Sequence, residues 1–329
     1  MSRILHAQHD RFALTHPFRI SRGVKIAADV ITVTIREGER VGRGEGVPYP
    51  RYRESVDSAL AAVAQVQPLI ESGAERDELL NAIPAGAARN AVDCALWDLE
   101  ARRAGRSVAE LIGAPAPARL ASALTIVIDA PDAMAEAAAA VAQAPLIKVK
   151  VDAIDPEAQL RAVRHEAPEP RLIVDPNESW DRALVEAMQK LLVELRADLL
   201  EQPVRAGEDE WLERFTPAVP ICADAALHVA ADLPVIARRY QVVNVKLDKT
   251  GGLTEALSVA RAARAHGLGL MTGCMVCSSL SIAPALHIAR MSDFVDLDGP
   301  LWLREDRPGG VTDEGGFLHP PAPGFWGMP

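Results

Sequence analysis

Five charged residues punctuate the second half of this chain at a regular interval, each closing a short apolar run. Lys150 ends the run from Leu146, Asp175 the run from Leu172, Glu201 follows Leu199-Leu200, Asp224 follows Ile221-Cys222-Ala223, and Lys246 ends the run from Val242. Neighbours in the series lie 22 to 26 residues apart, about one strand–loop–helix–loop unit of a β/α barrel. Such barrels carry their functional groups at the C-terminal ends of the strands, on one face. The spacing therefore predicts three carboxylates and two amines around one mouth.

Asp175, Glu201 and Asp224 come from three consecutive strands, so their carboxylates can converge. At an effective dielectric of 20, each pair of charges about 4 Å apart repels by ~4 kcal/mol, or ~12 for the three pairs. A cation offsets this, and an all-oxygen site favours a hard divalent ion; Mg²⁺, one per subunit, is the expected cofactor. Strand parity puts Lys148 on the same face as Lys150, and Asn244 on that of Lys246. Burying such amines unpaired costs several kcal/mol, which argues against accident. A cation holding a substrate carboxylate, with an amine on either side, is a device for moving an α-proton. Such an amine acts as base only if its pKa falls from about 10.4 towards 7–8. Lys148, a metal and burial are each expected to push that way. Lys150 and Lys246 are the candidate bases. Their strands face one another across the mouth, so one removes the proton and the other returns it from the far side.

Eight short apolar segments provide the strands: ALTIVIDA, PLIKVKVD, RLIVDPN, ADLLEQP, PICAD, YQVVNVKLD, GLGLMTGC and FVDLDGP, with helical stretches between. The preceding region differs. Residues from about 3 to 47 alternate as strands and 54 to 105 switch to a helical period, an α+β unit. The glycine run Gly42-Arg43-Gly44-Glu45-Gly46 lacks a nucleotide-binding register, because Pro48 and Pro50 follow instead of a helix, and is expected to be a tight hairpin. Proline-rich GAPAPARL marks the boundary. The expected division is a cap at 1–114, completed by a Pro/Gly-rich tail from about 304 to 329, and a barrel at 115–303.

Composition narrows the partners. Thirty-five Lys and Arg against 45 Asp and Glu give a net charge of −10 across 329 residues, which argues against nucleic acid and anionic membranes. No run reaches the ~18 apolar residues of a spanning helix, and the N-terminus reads without a signal core. The chain is expected to be cytoplasmic, with a homo-oligomer left open. Four cysteines make no disulfide framework. Cys274 and Cys277 lack a second ligand pair for zinc and read as ordinary barrel cysteines.

The motifs Lys148-Val-Lys150, Asp175-Pro-Asn177, Glu201-Gln-Pro203, Asp224 and Lys246-Leu-Asp-Lys249-Thr-Gly-Gly252 closely resemble the muconate-lactonizing subgroup of the enolase superfamily, over essentially the whole chain. A Lys base with Mg²⁺ is a known pattern of that superfamily. The resemblance implies a modified (β/α)₇β TIM-like barrel with an N-terminal α+β capping domain. Within it the chain is similar to dipeptide epimerases, those of L-Ala-D/L-Glu in particular, through Phe294-Val-Asp296-Leu-Asp298-Gly-Pro300, the Gly273–Cys277 loop, Ile20-Ser-Arg22-Gly23 and Tyr49-Pro-Arg-Tyr52. It implies that Asp298 with Asp296 holds the substrate's α-ammonium, and that Arg22 reaches the glutamate side chain. It further implies that Thr125 and Lys148 adjoin the substrate, and a role in recycling cell-wall peptides. Two positions depart from the family: Ala225-Ala226 where Glu-Ser is usual, and Cys277 where many relatives carry an acid. The alternatives are a cycloisomerase or o-succinylbenzoate synthase on the same scaffold, an epimerase for another dipeptide, or a silent metal-binding homologue.

Overall fold

A computed structural model describes residues 3–115 and 118–328 of the chain. Ala116 and Pro117, in the middle of the expected boundary segment, lie outside the described residues, as do Met1 and Ser2 of the N-terminus read for a signal, and Pro329.

Three antiparallel strands open the chain: β1 (Arg3–Ile20), β2 (Gly23–Glu37) and β3 (Arg40–Gly46). Ser21-Arg22 is the turn between the first two, since Ile20 pairs with Gly23. Helices α1 (Val56–Glu71), α2 (Arg76–Ala82) and α3 (Ala87–Ala104) cover one face of this sheet. Ser55 begins α1 with a capping box, and its stripe Ala59, Val63, Val66, Ile70 meets Leu5, Ile31, Val33 and Ile35. Each fully buried Val or Ile there is worth ~1.5–3 kcal/mol. Gly105, at φ +61°, ends α3.

The glycine run is not a hairpin turn. The turn is Gly38-Glu39, and Gly42, Gly44 and Gly46 lie within β3, two residues apart on one face. A Cβ at each would come within 2.1 Å of the carbonyl oxygens of Ala95, Ala91 and Ala87 in turn. Strand period 2 matches helix period 4 here, so α3 rests directly on the strand backbone.

After α4 (Val108–Leu111) and β4 (Leu120–Ala121) comes the barrel: β5 (Leu124–Ile126), β6 (Leu146–Lys150), β7 (Arg171–Asp175), β8 (Leu199–Glu201), β9 (Ile221–Ala223), β10 (Val242–Val245), β11 (Gly269–Gly273) and β12 (Phe294–Asp296). These pair in parallel in that order, and Ala123 N–H donating to Val295 O at 2.8 Å joins the last to the first. Helices α5 (Pro131–Ala140), α6 (Pro156–Glu166), α7 (Arg182–Glu194), α8 (Leu233–Ile236), α9 (Leu247–Thr250), α10 (Leu253–Ala265) and α11 (Ser279–Ala289) lie between them. Only a 3₁₀ turn follows β8, and β12 runs into another instead of an eighth helix, so this is the modified barrel that the motifs imply. The tail forms β13 (Thr312–Asp313) and β14 (Phe317–His319), an antiparallel pair whose second strand pairs with β4. It then crosses to β3 and α3, where Trp326 Nε1 donates to Arg43 O of β3 at 2.9 Å and Gly327 N–H to Asp98 Oδ1 of α3 at 2.8 Å.

Candidate active site at the barrel mouth

Each functional position follows from one apolar layer. Ala123, Leu146, Ile173, Leu199, Cys222, Val242, Met271 and Phe294 form a buried plug inside the barrel. Two residues further along each strand, the same inward face presents Thr125, Lys148, Asp175, Glu201, Asp224, Asn244, Gly273 and Asp296. Two further again come Lys150, Lys246 and Asp298. The plug excludes water from below, so the charges above it are buried and answer chiefly to one another.

Lys148 stands at the centre, with Nζ 2.8 Å from Asp296 Oδ2, 2.7 Å from Glu201 Oε2 and 3.1 Å from Asp175 Oδ2. Burial disfavours its charge, but Asp296, Glu201 and Asp175 outweigh this and hold its pKa well above the lysine range. Lys150 Nζ reaches Asp175 Oδ2 at 2.5 Å, and Lys246 Nζ reaches Asp224 Oδ2 at 3.0 Å. Burial pulls Lys246 down while Asp224 pulls it up further, so its pKa lies above the ordinary value. That differs from the lowered pKa expected of a base, because a carboxylate neighbours its ammonium. Burial pushes Asp175 up, yet Lys150 and Lys148 bring it down to about 2; for Glu201 burial and Asp175 win, and its pKa rises.

Several supporting groups have roles here that the spacing of the charged residues did not assign. Asn244 Nδ2 donates to Glu201 Oε1 at 2.9 Å, and Lys249 Nζ stands 2.7 Å from Asp224 Oδ1. Asn177 N–H donates to Asp175 Oδ1 at 2.9 Å. Gln202 Oε1 accepts from Asp224 N–H at 2.8 Å and Ala226 N–H at 3.1 Å, so a neighbouring strand end fixes the Ala225-Ala226 departure. At Gly273 a Cβ would lie 3.0 Å from Lys246 Cε, so this glycine leaves the room that the lysine stem occupies. Parity signalled Asn244; Asn177, Gln202 and Lys249 stood within the motifs, but nothing local signalled their partners.

Asp175, Glu201 and Asp224 are all fully or almost fully buried. Among the described residues no three His, Cys, Asp or Glu side chains are already gathered as an ion cage, since each of these carboxylates is turned towards an ammonium. The donor set still fits a hard cation. It is all oxygen, it comes from three adjacent strands, and each of the three carboxylates already draws positive charge to within hydrogen-bond distance.

Above these groups is a cavity of about 430 Å³, lined by Lys148, Lys150, Asp224 and Lys246 from below and by the cap from above. Asp298 borders it, with Oδ2 accepting from Thr125 N–H at 2.8 Å and Trp302 Nε1 at 3.3 Å. Burial and the charge of Asp296 push Asp298 up to about 6. Asp296 gives Oδ2 to Lys148 and keeps a buried Oδ1 without a partner. The β1–β2 turn leans over the mouth: Ser21 Oγ donates to Pro176 O at 3.0 Å, and Arg22 Nη1 to Asn177 O at 2.8 Å and Glu178 Oε2 at 3.0 Å. Arg22 therefore borders the cavity but is bound to the protein's own carboxylate. Cys274 and Cys277 follow β11 as free thiols.

The family described as mandelate racemase / muconate lactonizing enzyme, N-terminal domain, matches residues 4–113, and the one described as enolase C-terminal domain-like matches 132–325. The chain belongs to the enolase superfamily. The L-Ala-D/L-Glu epimerase of Escherichia coli K12 is 46% identical over 312 residues, covering 94% of this chain and 97% of that one. An N-acetyl-D-glutamate racemase of a Pseudoalteromonas species is 44% identical over 300 residues, covering 91% and 95%. Among solved structures, this superfamily member superposes at TM-score 0.97 and 48% identity on an Agrobacterium tumefaciens enolase-family protein with homology to dipeptide epimerases, bound to sodium and L-Ala-L-Glu; 99% and 100% of the two chains are covered. A dipeptide epimerase from Enterococcus faecalis, complexed with Mg and L-Leu-L-Tyr, matches at TM-score 0.90 and 27% identity, covering 98% of each chain. The protein is thus an isomerase of the racemase and epimerase kind. No helix among the described residues is long and apolar enough to cross a membrane.

Proposed function

We propose that this enzyme is a Mg²⁺-dependent dipeptide epimerase acting on L-Ala-D/L-Glu, inverting the α-carbon of the C-terminal residue by two-base proton transfer. The observation that carries this is the pair Lys150 and Lys246, buried, on strands four places apart in a ring of eight. They approach one reacting carbon from opposite faces. Whichever lysine is neutral takes the α-proton, and the other, as ammonium, delivers one from the far side. Asp175, Glu201 and Asp224 would hold the cation, which when bound supplies positive charge against both these carboxylates and the charge building on the substrate carboxylate. Lys148 offsets part of the negative charge of Asp296, Glu201 and Asp175. Asp298, with the free oxygen of Asp296, receives the substrate ammonium, beside Thr125. The cap, residues 1–114 with the tail, closes over this floor and brings Arg22 towards the side chain of the second residue. The role we assign is recycling of cell-wall peptides in the cytoplasm.

A second reading, racemisation of an N-acylated glutamate, is favoured by the 44% identical relative. It leaves Asp298 facing no ammonium. A cycloisomerase does the same. Incubating the protein and Mg²⁺ with L-Ala-L-Glu and with N-acetyl-D-glutamate, followed by chiral chromatography, separates them. The account expects the L-Ala-D-Glu diastereomer to appear and EDTA to stop its formation. Conversion of N-acetyl-D-glutamate alone would replace it with the second reading.

A further inference from the structure

The cap wall of the cavity bears three cations, Arg22, Lys25 and Arg51, and no carboxylate. Two of the three are already paired. Arg51 grips Glu178 at two points, Nε to Oε2 at 2.7 Å and Nη2 to Oε1 at 2.8 Å. Arg22 shares that Oε2 at 3.0 Å. Glu178 is itself buried and accepts from Ala206 N–H at 2.9 Å, so one fixed carboxylate engages both guanidiniums.

Lys25 differs. Its half-buried ammonium has no ion pair or hydrogen bond among the described residues and rests 4.5 Å from the centroid of the Tyr49 ring. Burial lowers its pKa, and Arg22 adds to this against the opposing pull of Tyr49, Asp248 and Asp29. The cavity's own carboxylates, Asp224, Asp296 and Asp298, all belong to the barrel. Its charge is therefore divided, basic above and acidic below. A cation on a ring platform, facing a cavity with no anion of its own on that wall, is built to receive an anion from outside.

We propose that Lys25 is a specificity residue that takes a carboxylate on the side chain of the substrate's C-terminal residue, with Arg22 fixed beside it by Glu178. This rests on the dipeptide reading above and deepens it. A charged hydrogen bond at a partly desolvated site corresponds to about a ten- to hundredfold preference for an acidic over an isosteric neutral side chain.

Calorimetric binding of L-Ala-L-Glu and L-Ala-L-Gln in the presence of Mg²⁺ tests this on the intact enzyme, on Lys25→Met and on Lys25→Arg. The wild type is expected to bind the glutamyl dipeptide ten- to hundredfold more tightly than the glutaminyl one. Lys25→Met is expected to lose most of that ratio, and Lys25→Arg to keep most of it. Because the ratio is taken within each variant, partial loss of folded protein cancels. Retention of the ratio by Lys25→Met, or absence of any preference in the wild type, overturns the proposal. A Lys25-dependent preference without turnover would instead sustain it and sink the epimerase reading. Failure of both dipeptides to bind removes both.

Discussion

Asp298 is the residue through which pH should act on substrate binding. Burial first, and then the charge of Asp296, raise its pKa to about 6. Above that value it is a carboxylate and can hold an ammonium; below it, it is neutral and cannot. The KM for L-Ala-L-Glu should therefore rise as pH falls through about 6, approaching tenfold per unit. In Asp298→Asn the KM should be high throughout and this step should vanish. KM measured against pH for both proteins checks it, and an identical step in the variant would place the titrating group elsewhere. At this scale much was legible in the sequence, because Lys150, Asp175, Glu201, Asp224 and Lys246 each follow a buried plug residue by two or four positions. Glu178 was not, since its pairing with Arg22 spans 156 residues. Lys246's raised pKa was also hidden, because it depends on which carboxylate its ammonium meets.

At the scale of elements, period alone located the eight barrel strands and the cap helices. The glycine run of β3 shows where it fell short. Glycines two apart look locally like turn residues, whereas their use here is to admit Ala87, Ala91 and Ala95 of a helix four dozen residues onward. Gly44→Val tests this, since even its Cβ would lie 2.1 Å from Ala91 O. Neither backbone can yield without disturbing the sheet or the helix. The substitution should cost at least about 3 kcal/mol in urea unfolding. An unchanged unfolding midpoint would show that the helix does not need this close approach. The (β/α)₇β irregularity was likewise beyond local reading, and entered through the motifs' resemblance.

At the scale of the molecule, a few polar groups tie the tail to the cap and the cap to the barrel. Arg307 Nη2 meets Asp10 Oδ2 at 3.0 Å and Glu45 Oε2 at 2.9 Å, while Asp248 Oδ1 accepts from Val47 N–H and from Asn90 Nδ2, both at 2.8 Å. These partners are distant in sequence, so the seating of the cap over the mouth is a property of the folded whole. The division of labour between Lys150 and Lys246 is another, because only closure of the barrel sets them face to face. The measurement that bears on it most directly is proton NMR in D₂O with Mg²⁺, following the glutamyl α-proton of L-Ala-L-Glu and L-Ala-D-Glu. The wild type should exchange that proton in both and interconvert them. Lys150→Ala and Lys246→Ala should each lose interconversion by about 10²–10⁴-fold. Each variant should still exchange the proton of a single diastereomer, a different one in each. Exchange of the same diastereomer by both variants, or interconversion at the wild-type rate by either, would contradict a two-base mechanism.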